Sequence, residues 1–243
     1  MDRVPLDVVK DLAPDGRLCA AINVANPVLV QTDPVTGAPR GVTMDLAREL
    51  ARRLGVALEP VVIDGAGKAF AAVKAAACDI GFLATEPARA AEIDFTAPYV
   101  LIEGTYMVPK DSALKVIEDV DRAGVRIAVN KGSAYDLYLT RTLKHATVML
   151  HDTDGIGMFK RDKLEALAGV KQAVVRFVQE NPGLRLLPGR FMEIDQAMCL
   201  PKGRPLAARY LRGFVEEMKA SGFVAEALKR ANQPDATVAG AAR

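Results

Sequence analysis

One alternation, strand then amphipathic helix then strand, is repeated along this chain, and it limits the available folds more than any other feature. "RLCAAINVA" reads as a buried strand. "VTMDLARELARRLG" reads as a helix whose apolar positions, Met44, Leu46, Ala47, Leu50, Ala51 and Leu54, approximate the helical period before Gly55 ends it. "VALEPVVI" is a second strand, "GKAFAAVKAAA" a second helix and "DIGFLA" a short apolar strand. A β-α-β-α-β series of this kind predicts a parallel sheet covered by helices, preceded here by a short helix near residues 4–12.

The pattern restarts after an extended segment, "YVLIEGTYMVP", in which Gly104 is a point where a crossing chain can bend. "VRIAVN", "TVMLH", "LEALAGV" and "LRLLPG" then read as strands. Helices fall over "SAYDLYLTRTLK", over a stretch through Phe159 and over "KQAVVRFVQEN". A second extended segment, "RFMEIDQAMCLP", leads into a long amphipathic helix, "PLAARYLRGFVEEMKASG", and then "FVAEALKRAN". The expected fold is α/β with two lobes, residues 1–103 plus 199–243 and residues 104–198. Each lobe is a mostly parallel sheet flanked by helices, and the two are joined by two hinge crossovers. "AAVKAAACDIGFLA" and "MFKRDKLEALAGV" share an outline of helix, acidic residue and short apolar strand, which suggests related lobes. The tail "QPDATVAGAAR" is small and polar enough to be loose. Sheets of this type hold ligands outside the carboxyl ends of their strands, so facing strand ends predict a cleft.

Composition narrows the ligand. The chain has 243 residues, half of them hydrophobic, enough for a core without staples. Its 32 basic and 30 acidic residues leave a net charge of +2 with no run of one sign, so neither nucleic acid nor an anionic membrane is an expected partner. Aromatics are 5% and Trp is absent, which argues against stacking platforms for bases or sugars. Small polar ligands remain. Cys19, Cys78 and Cys199 are far apart, odd in number and set among apolar residues, so they read as buried free thiols. The first residues contain no apolar core or small-residue cleavage site, and no stretch approaches a membrane span; as written, the chain reads as soluble and unexported.

Arg89 stands just past the carboxyl end of "DIGFLA", where Thr85 or Glu86 can cap and Pro87 suits the first position of a short helix. A guanidinium there can grip a carboxylate through two parallel hydrogen bonds. The alternative is a surface arginine paired with Glu86, Glu92 or Asp94. In "VNKGSAYDLYLT", Gly132 and Ser133 before a helix can point backbone N–H groups and a hydroxyl at an anion; ordinary capping by Ser133 is compatible with that. Asn23 and Asn26 lie at the carboxyl end of the first strand, Asn23 as the better ligand candidate and Asn26 as a turn residue before proline. Glu103 and Gln196 lie in the two crossings, either lining a ligand site or simply solvated. "DGAGKAF" lacks the spacing of a phosphate loop, so no nucleotide cofactor is expected. His145 and His151, six apart around a strand, suit neither a helical metal pair nor a triad, and no metal site is expected.

The order "GRLCAAIN", "GVTMDLARELARRLG", "DIGFLATEPARAAEIDFTAPY", "GVRIAVNKGSAYD" and "KLEALAGVKQ" resembles the family 3 extracellular solute-binding proteins, the polar amino-acid receptors of ABC importers. The likeness runs through nearly the whole chain, with "PARAAEIDFTAPY" its most specific part. It implies the type II periplasmic binding fold, closing over a small ligand in the manner of a hinged trap. It also implies that Arg89 binds the ligand's carboxylate and that Ser133 shares it. Asn23, Phe82 and Gln196 are then expected to set selectivity, with Ala84, Thr85, Gly132 and Glu103 also at the site.

Two departures qualify this. Family members that hold an amino acid carry an Asp after the "LEALAGV"-like strand to accept the ligand's ammonium, whereas this chain has Val170 there, followed by Lys171. The segment "DIGFLATEPAR" is also about two residues shorter, which alters the wall from Phe82 to Thr85. The expected ligand is a small carboxylate, either without an amine or with its amine held by Asn23, Glu103 or Gln196. The resemblance further implies a non-enzymatic monomer in the periplasm with an ABC transporter permease as partner; the chain's start leaves a cytosolic sensor as another reading. The runner-up to the binding-protein reading is an enzyme on the same fold, a cyclohexadienyl dehydratase acting on prephenate or arogenate, with Glu103 or Asp195 as general acid.

Overall fold

The computed structural model describes residues 4–233 and 236–242. In chain order the first elements are α1 (Leu6–Leu12), β1 (Arg17–Asn23), β2 (Gln31–Thr32), β3 (Pro39–Arg40), α2 (Val42–Leu54), β4 (Ala57–Ile63), α3 (Ala66–Lys74), β5 (Ile80–Ala84), α4 (Pro87–Ala90) and β6 (Ile93–Pro109). They continue as β7 (Arg126–Asn130), α5 (Ala134–Thr142), β8 (Thr147–His151), α6 (Gly155–Arg161), β9 (Ala166–Val170) and α7 (Lys171–Glu180). The last are β10 (Leu184–Leu186), β11 (Met192–Pro201), α8 (Pro205–Ala220), α9 (Phe223–Arg230) and β12 (Thr237–Val238). Contacts divide the chain into two compact units, Met1–Leu101 with Asp195–Arg243, and Ile102–Ile194.

In the first unit β1 pairs in parallel with β4 on one side and β5 on the other, and β11 closes β5 antiparallel, with Gln196 opposite Ala84. All five residues of β5 are buried. A parallel strand covered by helices on both faces must be apolar throughout, which is why "IGFLA" lacks alternation. β4 lies at the sheet's edge and carries Pro60, tolerable there because a proline has no N–H to give to a further strand. α2 buries the six apolar positions read from its period, together with Val42 and Thr43. Each large aliphatic side chain so covered stabilises the unit by roughly 1.5–3 kcal/mol.

The second unit has the same order. β7 pairs in parallel with β8 and β9, and β9 is closed antiparallel by β6, with Val170 opposite Gly104. β10 pairs antiparallel with β6 instead of extending the parallel set, because the chain returns along β6 directly after α7. Two clusters fill the unit, one around Tyr106, Ile127 and Leu139 and one around Met107, Phe159 and Val174.

Three expectations are corrected. β6 runs unbroken from Ile93 to Pro109, so Gly104 is not a bend. A Cβ on Gly104 would stand 2.8 Å from the Phe191 ring, whose face stacks on Tyr106 at 4.4 Å between centroids, so the glycine makes room for that aromatic pair. The tail is not loose throughout, because β12 pairs with β6 at Val100 and Leu101, and Ala239 donates its N–H to the Tyr99 carbonyl at 3.1 Å; residues 234, 235 and 243 lie outside the described residues. The unit boundaries fall after Leu101 and Ile194, not after residues 103 and 198. Glu103 therefore belongs with the second unit, where its ionic partners are, and Gln196 with the first, where its strand pairs.

The helices of the first unit are also joined ionically. Arg53, 11% exposed, donates to Glu49 within α2 at 2.8 Å and grips Glu217 of α8 through two bonds of 2.7 and 2.8 Å, with its guanidinium over the Phe214 ring. Hydrogen bonding from Arg52 first, and from Arg53 as well, pulls the Glu49 carboxyl down to about 2. A carboxyl depressed by folding stabilises above its unfolded pKa, near 4.5, and loses that contribution as pH falls through its folded value. Glu49→Gln should therefore lower the melting temperature by about 2–4 °C at pH 7. Melting curves from pH 7 to pH 2 should show wild type and variant converging at the acid end.

Candidate functional site

The carboxyl ends of β1 and β5 carry the first unit's polar candidates. Arg89 lies on α4, one turn after Glu86 and Pro87, and is 2% exposed, which removes the surface-arginine reading. Its Nη1 donates to the Ala84 carbonyl at 3.0 Å, so the guanidinium turns back toward the end of β5. The residue paired with Lys74 at 3.1 Å is Glu92. Glu86 occupies the N-cap position of α4 without a capping side-chain bond, and exposed Thr85 donates its backbone N–H to the Asp195 carbonyl at 2.9 Å. Phe82 is 3% exposed and packs edge-on against Tyr99 at 6.3 Å, a core contact of β5. Ala84 and Gln196, opposite each other, are both 5% exposed.

Asn23 ends β1, and its side-chain oxygen accepts the N–H groups of Ala25 at 3.1 Å and Gly65 at 3.3 Å. Gly65 is the N-cap of α3, so the asparagine ties the first strand to the helix that follows the second. The second unit has the same device. Asn130 ends β7, and its side-chain oxygen accepts from Gly155 at 2.8 Å, the first residue of α6. Sequence reasoning did not single out Asn130; the signal that could have found it is its place at the end of the equivalent strand. Asn26 accepts from Val28 at 3.2 Å, the turn expected of Asn-Pro.

At the start of α5 the predicted cap is present, Ser133 Oγ accepting the Asp136 N–H at 3.0 Å. Gly132 has φ +71°, the left-handed region that favours glycine, and its N–H donates to Asp136 Oδ2 at 2.7 Å. The helix ladder begins with Leu137 donating to the Ser133 carbonyl. Asp136, 6% exposed, also accepts the Thr140 hydroxyl at 3.0 Å. The expectation that Gly132 presents an open N–H to an anion is corrected: the chain's own carboxylate accepts from it. The Ala134 and Tyr135 amides precede the ladder, as the first amides of a helix do.

Glu103, its side chain one-third exposed, is not idle. Its two oxygens meet Lys171 Nζ at 2.5 Å and Arg190 Nη1 at 2.9 Å, and Arg190 also reaches Glu193 at 2.9 Å. Lys171 first, and Arg190 after it, hold the Glu103 carboxyl below its usual range. Val170, half-buried, caps α7 without a side-chain bond. His151 accepts the backbone N–H groups of Thr153 and Asp154 on Nδ1 at 3.3 and 2.9 Å, so it builds a turn, and His145 is exposed. Among the described residues, no three His, Cys, Asp or Glu side chains are grouped to hold a metal ion, and no helix is long and apolar enough to cross a membrane.

Two parallel-sheet units with polar groups at their strand ends describe a ligand-binding architecture, and comparison with known proteins agrees. The family model described as bacterial extracellular solute-binding proteins, family 3, matches residues 21–233. The chain belongs to this family. The amino-acid-binding protein AabA of Dichelobacter nodosus is 26% identical to this family 3 chain over 113 residues, which is 46% of the chain and 44% of that relative. The matched stretch thus spans less than half of the relative's length. The solute receptor for L-cysteine of Neisseria gonorrhoeae superposes with a TM-score of 0.80 at 21% identity, over 93% of this chain and 94% of that one. The amino-acid ABC transporter substrate-binding protein AbpA of Streptococcus pneumoniae, bound to L-arginine, gives 0.76 at 20% identity over 91% and 97%. At these identities the superpositions show a shared fold, that of the type II periplasmic binding proteins.

Asp136 closes both ends of the Gly132–Ser133 turn, and its loss removes the carboxylate's bonds from the Gly132 N–H and the Thr140 hydroxyl. Asp136→Ala should cost about 1–3 kcal/mol, read as a lower midpoint in urea with an unchanged slope.

Proposed function

We propose that this family 3 protein is the ligand-capturing component of an ABC-type importer, acting outside the cytoplasm as a monomer and delivering a small carboxylate-bearing ligand to a transporter permease. The observation that carries the reading is Arg89, a nearly inaccessible guanidinium directed at the carboxyl end of the parallel strand that precedes it. A buried cation is costly unless its surroundings are arranged for it, and a charge-assisted bond to a carboxylate contributes roughly 1.5–3 kcal/mol. Arg89 is the first unit's group for a carboxylate, and Ser133 with the first amides of α5 is the second unit's. Ala84, Thr85, Gln196 and Asn23 border the ligand in the first unit.

The ligand is an amino acid or a related organic acid. AabA and AbpA are named for amino acids, and an amino acid brings an ammonium that needs an acceptor. In this chain two of the three groups suited to that task are already engaged. Glu103 holds Lys171 and Arg190, and the Asn23 oxygen holds two backbone N–H groups. Gln196 is the third. This favours acids whose second polar group is not an amine. The dehydratase reading loses support at the same place, since a Glu103 held deprotonated by two cations is poorly suited to donate a proton.

A thermal-shift screen over amino acids, oxo acids, dicarboxylates and aromatic acids identifies the ligand. At a hundredfold excess over its dissociation constant, a ligand of the native state adds about 2.7 kcal/mol, a shift of roughly 5–10 °C. Arg89→Ala should abolish the shift seen with the cognate ligand. An unchanged shift removes Arg89 from the site, and release of an aromatic product from prephenate overturns the non-enzymatic reading.

A further inference from the structure

We propose that Cys19 and Cys78 are joined by a disulfide when the chain is in an oxidising compartment. This covalent modification site lies at the amino ends of β1 and β5, away from the strand ends that carry Asn23 and Ala84. It needs the extracellular placement of the family but not the ligand reading above, so the two can fail separately.

All three thiols are free in the structure, as the sequence reading expects, but the strand register brings two of them together. Ala20 stands opposite Ile80, and the Asp79 N–H donates to the Cys19 carbonyl at 2.9 Å. Cys78 is therefore one residue back on the neighbouring chain, diagonal to Cys19. With strands roughly 4.8 Å apart and a rise of roughly 3.3 Å per residue, that diagonal is about 6 Å between Cα atoms. Disulfides span roughly 4.4–6.8 Å. The side chains also face the same way. Cys19 Sγ lies 3.4 Å from the Ala77 carbonyl, the group immediately before Cys78, and Cys19 packs on the cluster that holds Cys78, Ala21, Val73 and Leu83. Burial, and next the adjacent Cys19 thiol, push the Cys78 thiol up to about 12. Cys199 lies in the same cluster but faces Gly81 across β11 and β5, farther along the strand, and is inaccessible.

Exposure sets the order of events. Cys19 is half-buried and meets an oxidant first, whereas Cys78 is 2% exposed. With oxidised glutathione, the Cys19 thiolate attacks one sulfur of the reagent and one glutathione thiolate leaves. The Cys78 thiolate then attacks the Cys19 sulfur of the mixed disulfide and releases the second. The two cysteine protons go to the two leaving thiolates, and one reagent disulfide is reduced for the one formed. Because Cys78 is buried, the second step requires local opening or occurs before the strand packs. Closing a loop of this length restricts the unfolded chain strongly, so the oxidised protein should melt about 5–15 °C above the reduced one.

The full chain, equilibrated with oxidised glutathione, is denatured in excess iodoacetamide and weighed. One alkylated cysteine, Cys199, is expected, and three are expected after prior reduction. Tryptic digestion of the unreduced sample should yield peptide 18–40 linked to peptide 75–89. Cys19→Ser should abolish the reductant-sensitive part of the melting temperature, whereas Cys199→Ser should retain it. Cys78→Ser provides the reciprocal check should Cys19→Ser fail to fold. Three alkylated cysteines in the oxidised sample, or a link through Cys199, overturn the proposal.

Discussion

Each unit is built around a third parallel strand that cannot be left open. β5 and β9 are flanked on one side by the first strand of their set and on the other by an antiparallel strand, β11 and β6 respectively. Both closing strands belong to the segments by which the chain passes from one unit to the other. The backbone groups of the third strand are thus satisfied only if the chain makes both crossings. An unpaired row of N–H and C=O groups at a sheet edge is a liability that proteins remove, and here the same strands remove it and link the units. The order within each unit, second strand, first strand, third strand, is identical. Asn23 and Asn130 repeat one tether in corresponding places, which makes the kinship of the units visible in hydrogen bonds as well as in outline.

The parallel arrangement also decides where polar groups collect. Strands that are apolar along their length push hydrogen-bonding side chains to the ends, and the carboxyl ends feed the helices. Most of those end groups already have partners in their own unit. Asp136 accepts from Gly132, His151 accepts two turn amides, and Glu103 accepts two cations. A strand-end polar residue is therefore first a builder of the turn. The ligand chemistry left to the site is narrower than a count of polar residues suggests.

What could be read from the chain follows from the range of each interaction. α2, β5, β8 and the Ser133 cap were legible because their signals lie within a few residues: a period, an apolar run, a serine before a helix. β12 was not, since two residues in a small polar tail have no period and are held by a strand more than a hundred residues earlier. The role of Gly104 was misread for the same reason: the ring that needs the space comes from Phe191. The ion pairs of Glu103 were not legible because its partners, Lys171 and Arg190, are 68 and 87 residues away. Of the candidate residues, the strand-end place of Arg89 and the cap at Ser133 were legible, while the partners of Gly132 and Glu103 were not.

Arg89 shows why burial counts for more than spacing. In sequence it has acidic neighbours on both sides, Glu86, Glu92 and Asp94, and a four-residue helix gives a side chain little cover of its own. The cover comes from the unit as a whole. With β5 closed by β11, the first turn after β5 is held against the sheet by the Thr85 bond to Asp195, and the Ala84 carbonyl turns the guanidinium inward. The strand that must be closed for the sheet to be stable is also the one that fixes the turn carrying Arg89. Weakening the β5–β11 pairing should therefore loosen the arginine before it unfolds the unit, so the placement of this buried cation and the stability of the sheet are coupled through that pair of strands.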